Sequence, residues 1–223
     1  MISRPMLISS EIGSRSMDLE VVLESVREVL EAMAVSKEYA ATISGFTDSS
    51  GLTVDKLLLE ATFSGSLTGE INGSLMSKLI SDRMDDQNAP NGRQPFHIVV
   101  INREMSHSKK HRFKIAGICR RNYCAIVTTR NFDAQNHLIR CAQLRMLTMH
   151  EIGHRFGLIS SDRATNVFVL DVGGKHCTND CVMRLGVPLS SSLSSAELRR
   201  LITLGFCSLC LDHLRRYVTA WGF

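Results

Sequence analysis

The stretch Met149-His150-Glu151-Ile152-Gly153-His154-Arg155-Phe156-Gly157 restricts what this chain can be more than any other part of it. On an α-helix, residues four apart lie one turn apart on the same face. His150 and His154 can therefore turn both imidazoles to one ion, with Glu151 rotated beside them. That geometry suits a zinc ion and its bound water. The residues ahead of the motif support a helix from Asn131 to Gly157. Asn131 or Asp133 can cap it, and Leu138, Ala142, Met146, Met149, Gly153 and Phe156 recur at spacings of three and four. This stripe faces a core. The two histidines fall roughly 100° to 140° around the wheel from Met149, so they border the core and can face a cleft. The plainer alternative is an amphipathic helix whose histidines only hydrogen-bond to neighbours.

A chain of 223 residues with 44% hydrophobic content can fill one sizeable core. Its formal charge of +4 is mild. The basic runs Lys109-Lys110-His111-Arg112 and Arg120-Arg121 read as a solvated loop and turn, which argues against a nucleic-acid surface. No run of eighteen apolar residues is present, and the first residues lack the basic, apolar and small-residue pattern of an export signal. A soluble cytoplasmic protein without a membrane span is expected. Four of the seven cysteines, Cys177, Cys181, Cys207 and Cys210, crowd the last quarter in two close pairs. Without an export signal, that spacing points to a metal before disulfides.

Along the chain, residues 1–16 carry little periodic signal and are expected to form a mobile arm. Met17 to about Lys37 reads as an amphipathic helix through Leu19, Val22, Leu23, Val26, Val29, Leu30 and Met33. Tyr39 to Gly51 is open between strand and loop. A helix starts near Thr53, Ser64 to Gly73 reads as loop, and Leu75, Leu79, Ile80 and Met84 suggest a further helix. Phe96-His97-Ile98-Val99-Val100-Ile101 reads as a buried central strand. Phe113–Ile118 and Tyr123–Thr129 read as a hairpin joined through Cys119-Arg120-Arg121-Asn122, leading into the motif helix. An edge strand just ahead of that helix could pair with an extended peptide. Cys119, Cys124 and Cys141 read as small buried hydrophobes.

After Gly157, the segment His176-Cys177-Thr178-Asn179-Asp180-Cys181-Val182-Met183 and the later Cys207-Ser208-Leu209-Cys210 can together close a tetrahedral four-thiolate site. Ser194 with Glu197 forms a capping box for a helix from Ser195 to Leu204. Leu211 to Ala220 reads as a terminal helix with His213 on its surface. Taken together, these motifs resemble the archaemetzincins, a branch of the metzincin zinc peptidases. Their signature is HExxHxxG, a third His followed at once by Cys, a second Cys, a Met two residues on and a distant CxxC. The resemblance covers roughly Phe96 onward.

The resemblance implies an α/β, metzincin-like zincin: a mixed twisted sheet packed on helices, with a long active-site helix and a small helical C-terminal part holding a structural zinc. It implies a single catalytic domain over 17–223, divided into 17–157, which ends in the HExxH helix, and 158–223. His150, His154 and His176 would be ligands of a catalytic zinc and Glu151 the general base. Gly157 would allow a sharp turn, Met183 would be the Met-turn residue, and Cys177, Cys181, Cys207 and Cys210 would hold a second, structural zinc. The implied activity is hydrolysis of peptide bonds in a peptide or unstructured protein by a metal-bound water.

The chain departs from the family at one place. The family sets two residues between the glycine and the third histidine, whereas here Leu158 to Lys175 intervene, leaving Ser160 at the usual ligand position. Serine is a poor zinc ligand at neutral pH. Either the insertion loops out and returns His176, which its following cysteine favours, or Asp162 takes the place. The insert Thr165-Asn166-Val167-Phe168-Val169-Leu170 is apolar enough to fold over the cleft. Smaller departures are the three residues between Cys177 and Cys181, against four in the family, and a longer gap from Met183 to Cys207. Residues Leu185 to Ser194 would wall a specificity pocket. Two other readings are a catalytically altered, zinc-stabilised peptide-binding protein, resting on Ser160, and a nucleic-acid module using the four cysteines with Arg199, Arg200, Arg215 and Arg216.

Overall fold

A strand in which every residue is apolar or buried needs cover on both faces, and Phe96–Ile101 is such a strand. The computed structural model describes residues 6–11, 15–33, 41–43, 54–63, 69–85, 96–108, 110, 114–120, 124–130, 132, 136–170, 174–184 and 193–221. In chain order the elements are β1 (Met6–Ser10), α1 (Ser16–Ala32), β2 (Ala41–Ile43), α2 (Val54–Ala61), β3 (Ile71–Asn72), α3 (Gly73–Asp85), β4 (Phe96–Ile101), β5 (Met105–Ser106), β6 (Lys114–Ile115), β7 (Gly117–Arg120), β8 (Cys124–Thr128), α4 (His137–Arg155), β9 (Val167–Leu170), β10 (Gly174–Cys177), α5 (Ser195–Thr203) and α6 (Ser208–Trp221).

The main sheet has the order β2-β1-β4-β8-β7. Its first four strands are parallel, and β7 closes the row antiparallel to β8. Alternation along the strands sorts the core into two clusters. Ile8, Phe96, Ile98, Val100, Ala125 and Val127 meet Val22, Val26 and Val29 of α1 and Ala142, Met146 and Met149 of α4. On the other face Val99, Ile101, Cys124 and Ile126 meet Leu57 and Leu58 of α2 and Met76 and Ile80 of α3. This is a mixed sheet between helices with a long helix α4, the α/β class expected. Beyond α4, a small helical C-terminal region carries Cys181, Val182, Met183, Leu201, Cys210 and Leu214 into the first cluster.

Several boundaries differ from the sequence expectation. Met6–Ser10, within the segment expected to be a mobile arm, is an interior strand paired with both β2 and β4. Its five residues were too few to show a period. Ile71–Asn72 is a strand and Gly73 opens α3, where a loop was expected. The strand expected over Phe113–Ile118 is two: β6 pairs with β5 in a small sheet, whereas β7 pairs with β8. The hairpin stands, but the strand just ahead of α4, β8, is interior between β4 and β7, and the edge on that side of the main sheet is the hairpin's first strand, β7. The α4 cap is Asn136, whose side chain accepts from the Ile139 N–H at 3.2 Å. Asn131 and Asp133 lie outside the described residues. Leu138 is exposed and Ile139 takes the buried position. Cys124 is buried, but Cys119 and Cys141 are only half-buried. The capping box of Ser194 and Glu197 is present, and α6 begins at Ser208, earlier than expected. Most of the expected pocket wall, Leu185 to Ser194, lies outside the described residues. Among the described residues no helix is long and apolar enough to cross a membrane.

Polar contacts fix α4 against α1. The guanidinium of Arg140 donates to Asp18 at 3.0 and 2.5 Å and to the Thr129 carbonyl at 3.3 Å, with both charged side chains almost fully buried. Farther along, Arg145 pairs with Glu28 and donates to the Leu204 carbonyl at 3.0 Å, reaching the C-terminal region. Removing one partner of a buried pair strands the other charge. Asp18→Ala is expected to lower unfolding stability by about 3–5 kcal/mol, and Asp18→Leu with Arg140→Met to recover most of it, measured by denaturant unfolding. Equal loss in the single and double variants would show that the pair does not lock the two helices.

Candidate metal centre

The end of α4 explains how the first two imidazoles are aimed. Gly157 has φ +78°, a left-handed conformation that side chains with a Cβ rarely adopt. Its N–H donates to the His154 carbonyl at 3.0 Å, and the next N–H, of Leu158, donates back to the Gly153 carbonyl at 3.0 Å. This is a Schellman closure, and it folds the chain back under the last turn. The Leu158 carbonyl thereby reaches Nδ1 of His154 at 2.7 Å, while Nδ1 of His150 meets the Val182 carbonyl at 2.8 Å. A carbonyl only accepts, so each Nδ1 must carry the proton. Each Nε2 is then left as a bare lone pair. The two Nε2 atoms face each other at 3.1 Å.

His176 arrives from β10, and the intervening segment is looped out as a hairpin. β9 and β10 pair antiparallel, with His176 opposite Phe168 and Cys177 opposite Val167. His150, His154 and His176 each bring a ligand atom within 4.8 Å of the others. All three imidazoles are held neutral by burial: His154 is lowered to about 4, and His150 and His176 also lie below the ordinary value. The buried Nδ1 of His176 has no hydrogen-bond partner. Neutral, converging, partly unsatisfied nitrogens are the donor set that a borderline-soft divalent cation takes.

Neither Ser160 nor Asp162 joins this group. The Ser160 hydroxyl donates to the exposed Asp162 carboxylate and holds it below its usual range. Asp162 instead lines a separate cavity with Lys175, His213, Arg216 and Tyr217. His213, expected on the surface, is half-buried there and stays outside the cysteine cluster.

Glu151 is 5% exposed, and burial pushes its carboxyl up to about 8. It lies against the backbone of the edge strand β7. A Cβ on Gly117 would overlap the carboxyl oxygen and stand 2.8 Å from Cδ and Cγ. Met183 is fully buried beneath α4, and its Sδ fills the space in which a side chain at position 153 would sit. The smallness of Gly153 thus lets the methionine pack against the helix at the position just before His154.

The second cluster joins the loop after β10 to the start of α6. Cys177, Cys181, Cys207 and Cys210 bring their sulfurs within 4.8 Å of one another, with Cys177 and Cys207 3.7 Å apart. A tetrahedron of bonds of about 2.3 Å sets sulfurs roughly 3.8 Å apart, so the spacing fits a four-thiolate metal site. Every sulfur also has an N–H donor. Cys181 receives the backbone N–H of Met183 and Cys207 at 3.5 and 3.3 Å, Cys207 receives the Asn179 amide at 3.4 Å, and Cys177 and Cys210 receive Arg163 at 3.2 Å each. Hydrogen bonds from the Cys210 thiol and from the Cys207 and Met183 N–H groups hold the Cys181 thiol down to about 6, against burial. Two distinct groups able to coordinate metal ions are therefore present. The Nδ1-accepting carbonyls, Gly117, Asn179 and Arg163 had no signal in the sequence, because each acts through a contact made only in three dimensions.

No model of a known protein family matches the sequence, and no curated protein does. Solved structures are similar in fold. The archaemetzincin from Methanopyrus kandleri aligns with a TM-score of 0.59 and 17% identity over 97% of this chain and 96% of its own. The archaemetzincin from Archaeoglobus fulgidus, complexed with malonate, aligns with a TM-score of 0.53 and 15% identity over 94% of this chain and 99% of its own. Across nearly its whole length, this chain has the fold of the archaemetzincins.

Proposed function

We propose that the chain is a zinc-dependent peptidase that binds one zinc through His150, His154 and His176 and a structural zinc through Cys177, Cys181, Cys207 and Cys210. The observation that carries this reading is the pair of bare Nε2 lone pairs 3.1 Å apart. Two neutral acceptors so close repel unless a cation is shared between them. The fold similarity to archaemetzincins supports the same reading.

Bound there, zinc supplies Lewis acidity that polarises a carbonyl and eases proton loss from water. The remaining work belongs to the protein. Glu151 takes a proton from the attacking water and passes it to the leaving nitrogen. A carboxyl whose burial favours the protonated form suits both halves of that transfer. The carbonyls of Val182 and Leu158 hold the imidazoles in one tautomer and one orientation. The edge strand β7 presents backbone groups to which an extended peptide can add as a further strand, and Gly117 on that strand touches Glu151. A peptide paired there would pass over the carboxyl.

Elemental analysis of the purified protein is expected to give about two zincs per chain, falling to about one in His150→Ala and in His176→Ala. In Glu151→Gln the zinc content should hold while peptide hydrolysis falls by about 100-fold or more. Hydrolysis at the native rate in that variant would defeat the role given to Glu151. Gly117→Ala should also keep both zincs yet lower kcat by roughly tenfold or more, since the new methyl displaces the base from its place. An unchanged kcat there would mean that the carboxyl works from elsewhere.

A further inference from the structure

Resting on the reading of the four cysteines as a metal site, we propose that Arg163 is a positioning residue for that site, holding its thiolates and tying the inserted hairpin to them. Four thiolates around a divalent cation leave an anionic centre. Asn179 and the backbone N–H groups of Met183 and Cys207 are neutral donors to it, whereas Arg163 brings a full positive charge. Its guanidinium forks across two sulfurs, Nη1 to Cys210 and Nη2 to Cys177, both at 3.2 Å. Those two cysteines come from different elements, β10 and α6. One planar group therefore sets the distance between the two halves of the site.

The other side of the same guanidinium fixes the insertion. Nε donates to the Thr165 carbonyl at 3.0 Å and Nη2 to the Asn166 carbonyl at 3.2 Å. The Asn166 carbonyl also accepts from the Thr178 N–H at 3.1 Å, just past Cys177. Arg163 thus lies where the inserted segment, the strand that delivers His176, and the thiolates meet. A lysine could keep the charge but could not span two sulfurs and two carbonyls, because its ammonium is a point donor.

The test uses the full chain loaded with Co²⁺, read by the sulfur-to-cobalt charge-transfer band and by the rate of metal loss to a chromogenic chelator. Arg163→Met is expected to release cobalt from the thiolate site roughly 10- to 100-fold faster and to move the band to lower energy, because the sulfur lone pairs lose their donors. Arg163→Lys should fall between. Should the methionine variant fail to accumulate, the lysine variant decides in its place: faster release with a shifted band supports the role, and native release with an unmoved band overturns it. A native protein with no thiolate band would overturn the metal site and the role of Arg163 together. A native band that neither variant alters overturns the role alone.

Discussion

Two backbone carbonyls, those of Val182 and Leu158, hold the arrangement of the site. By accepting at Nδ1 they decide which nitrogen of His150 and His154 keeps its proton, and so which two lone pairs face each other. Each carbonyl depends on a different part of the fold. Leu158 is brought back by a glycine-dependent helix closure. Val182 precedes Met183, which can press against α4 only because position 153 has no side chain. The histidine motif is therefore the visible end of a longer dependence. It runs through a turn at one end and a packing contact at the other.

β10 draws the two candidate centres together. Successive residues on a strand point to opposite faces, so His176 and Cys177 can serve different clusters from neighbouring positions. The backbone of Cys177 is fixed in turn by its N–H to the Met183 carbonyl at 2.8 Å. Ordering one centre constrains the chain that feeds the other. This gives a physical reason for the four-cysteine cluster to sit beside the histidines.

Much of this was legible in the sequence. The HExxH spacing, the continuous apolar run Phe96–Ile101 and the paired cysteines are local patterns, and a helix, a buried strand and a four-sulfur cluster stand at those residues. What the sequence hid was contact between distant residues. Five residues of β1 hold no period long enough to recognise, although they lie between two parallel partners. The α4 cap was misplaced because several Asn and Asp residues precede the helix, and only backbone geometry chooses among them. Ser160 carried the main doubt about the third ligand, and the doubt came from counting residues. In space it is His176, not Ser160, that stands beside the other two imidazoles.

The hairpin that carries His176 home bears on how such motifs are written. For a flexible chain, closing a loop of eighteen residues instead of two costs on the order of 2 kcal/mol of entropy, because the cost grows only with the logarithm of length. Strand pairing between β9 and β10 and the hydrogen bonds of Arg163 work against that cost. Spacing along the chain is thus a weakly held variable, whereas the meeting point in space is strongly held. A pattern expressed in residue counts treats as forbidden a detour that polymer physics makes inexpensive. Signatures anchored on which residues converge would tolerate such a detour and still reject a chain whose histidine failed to return.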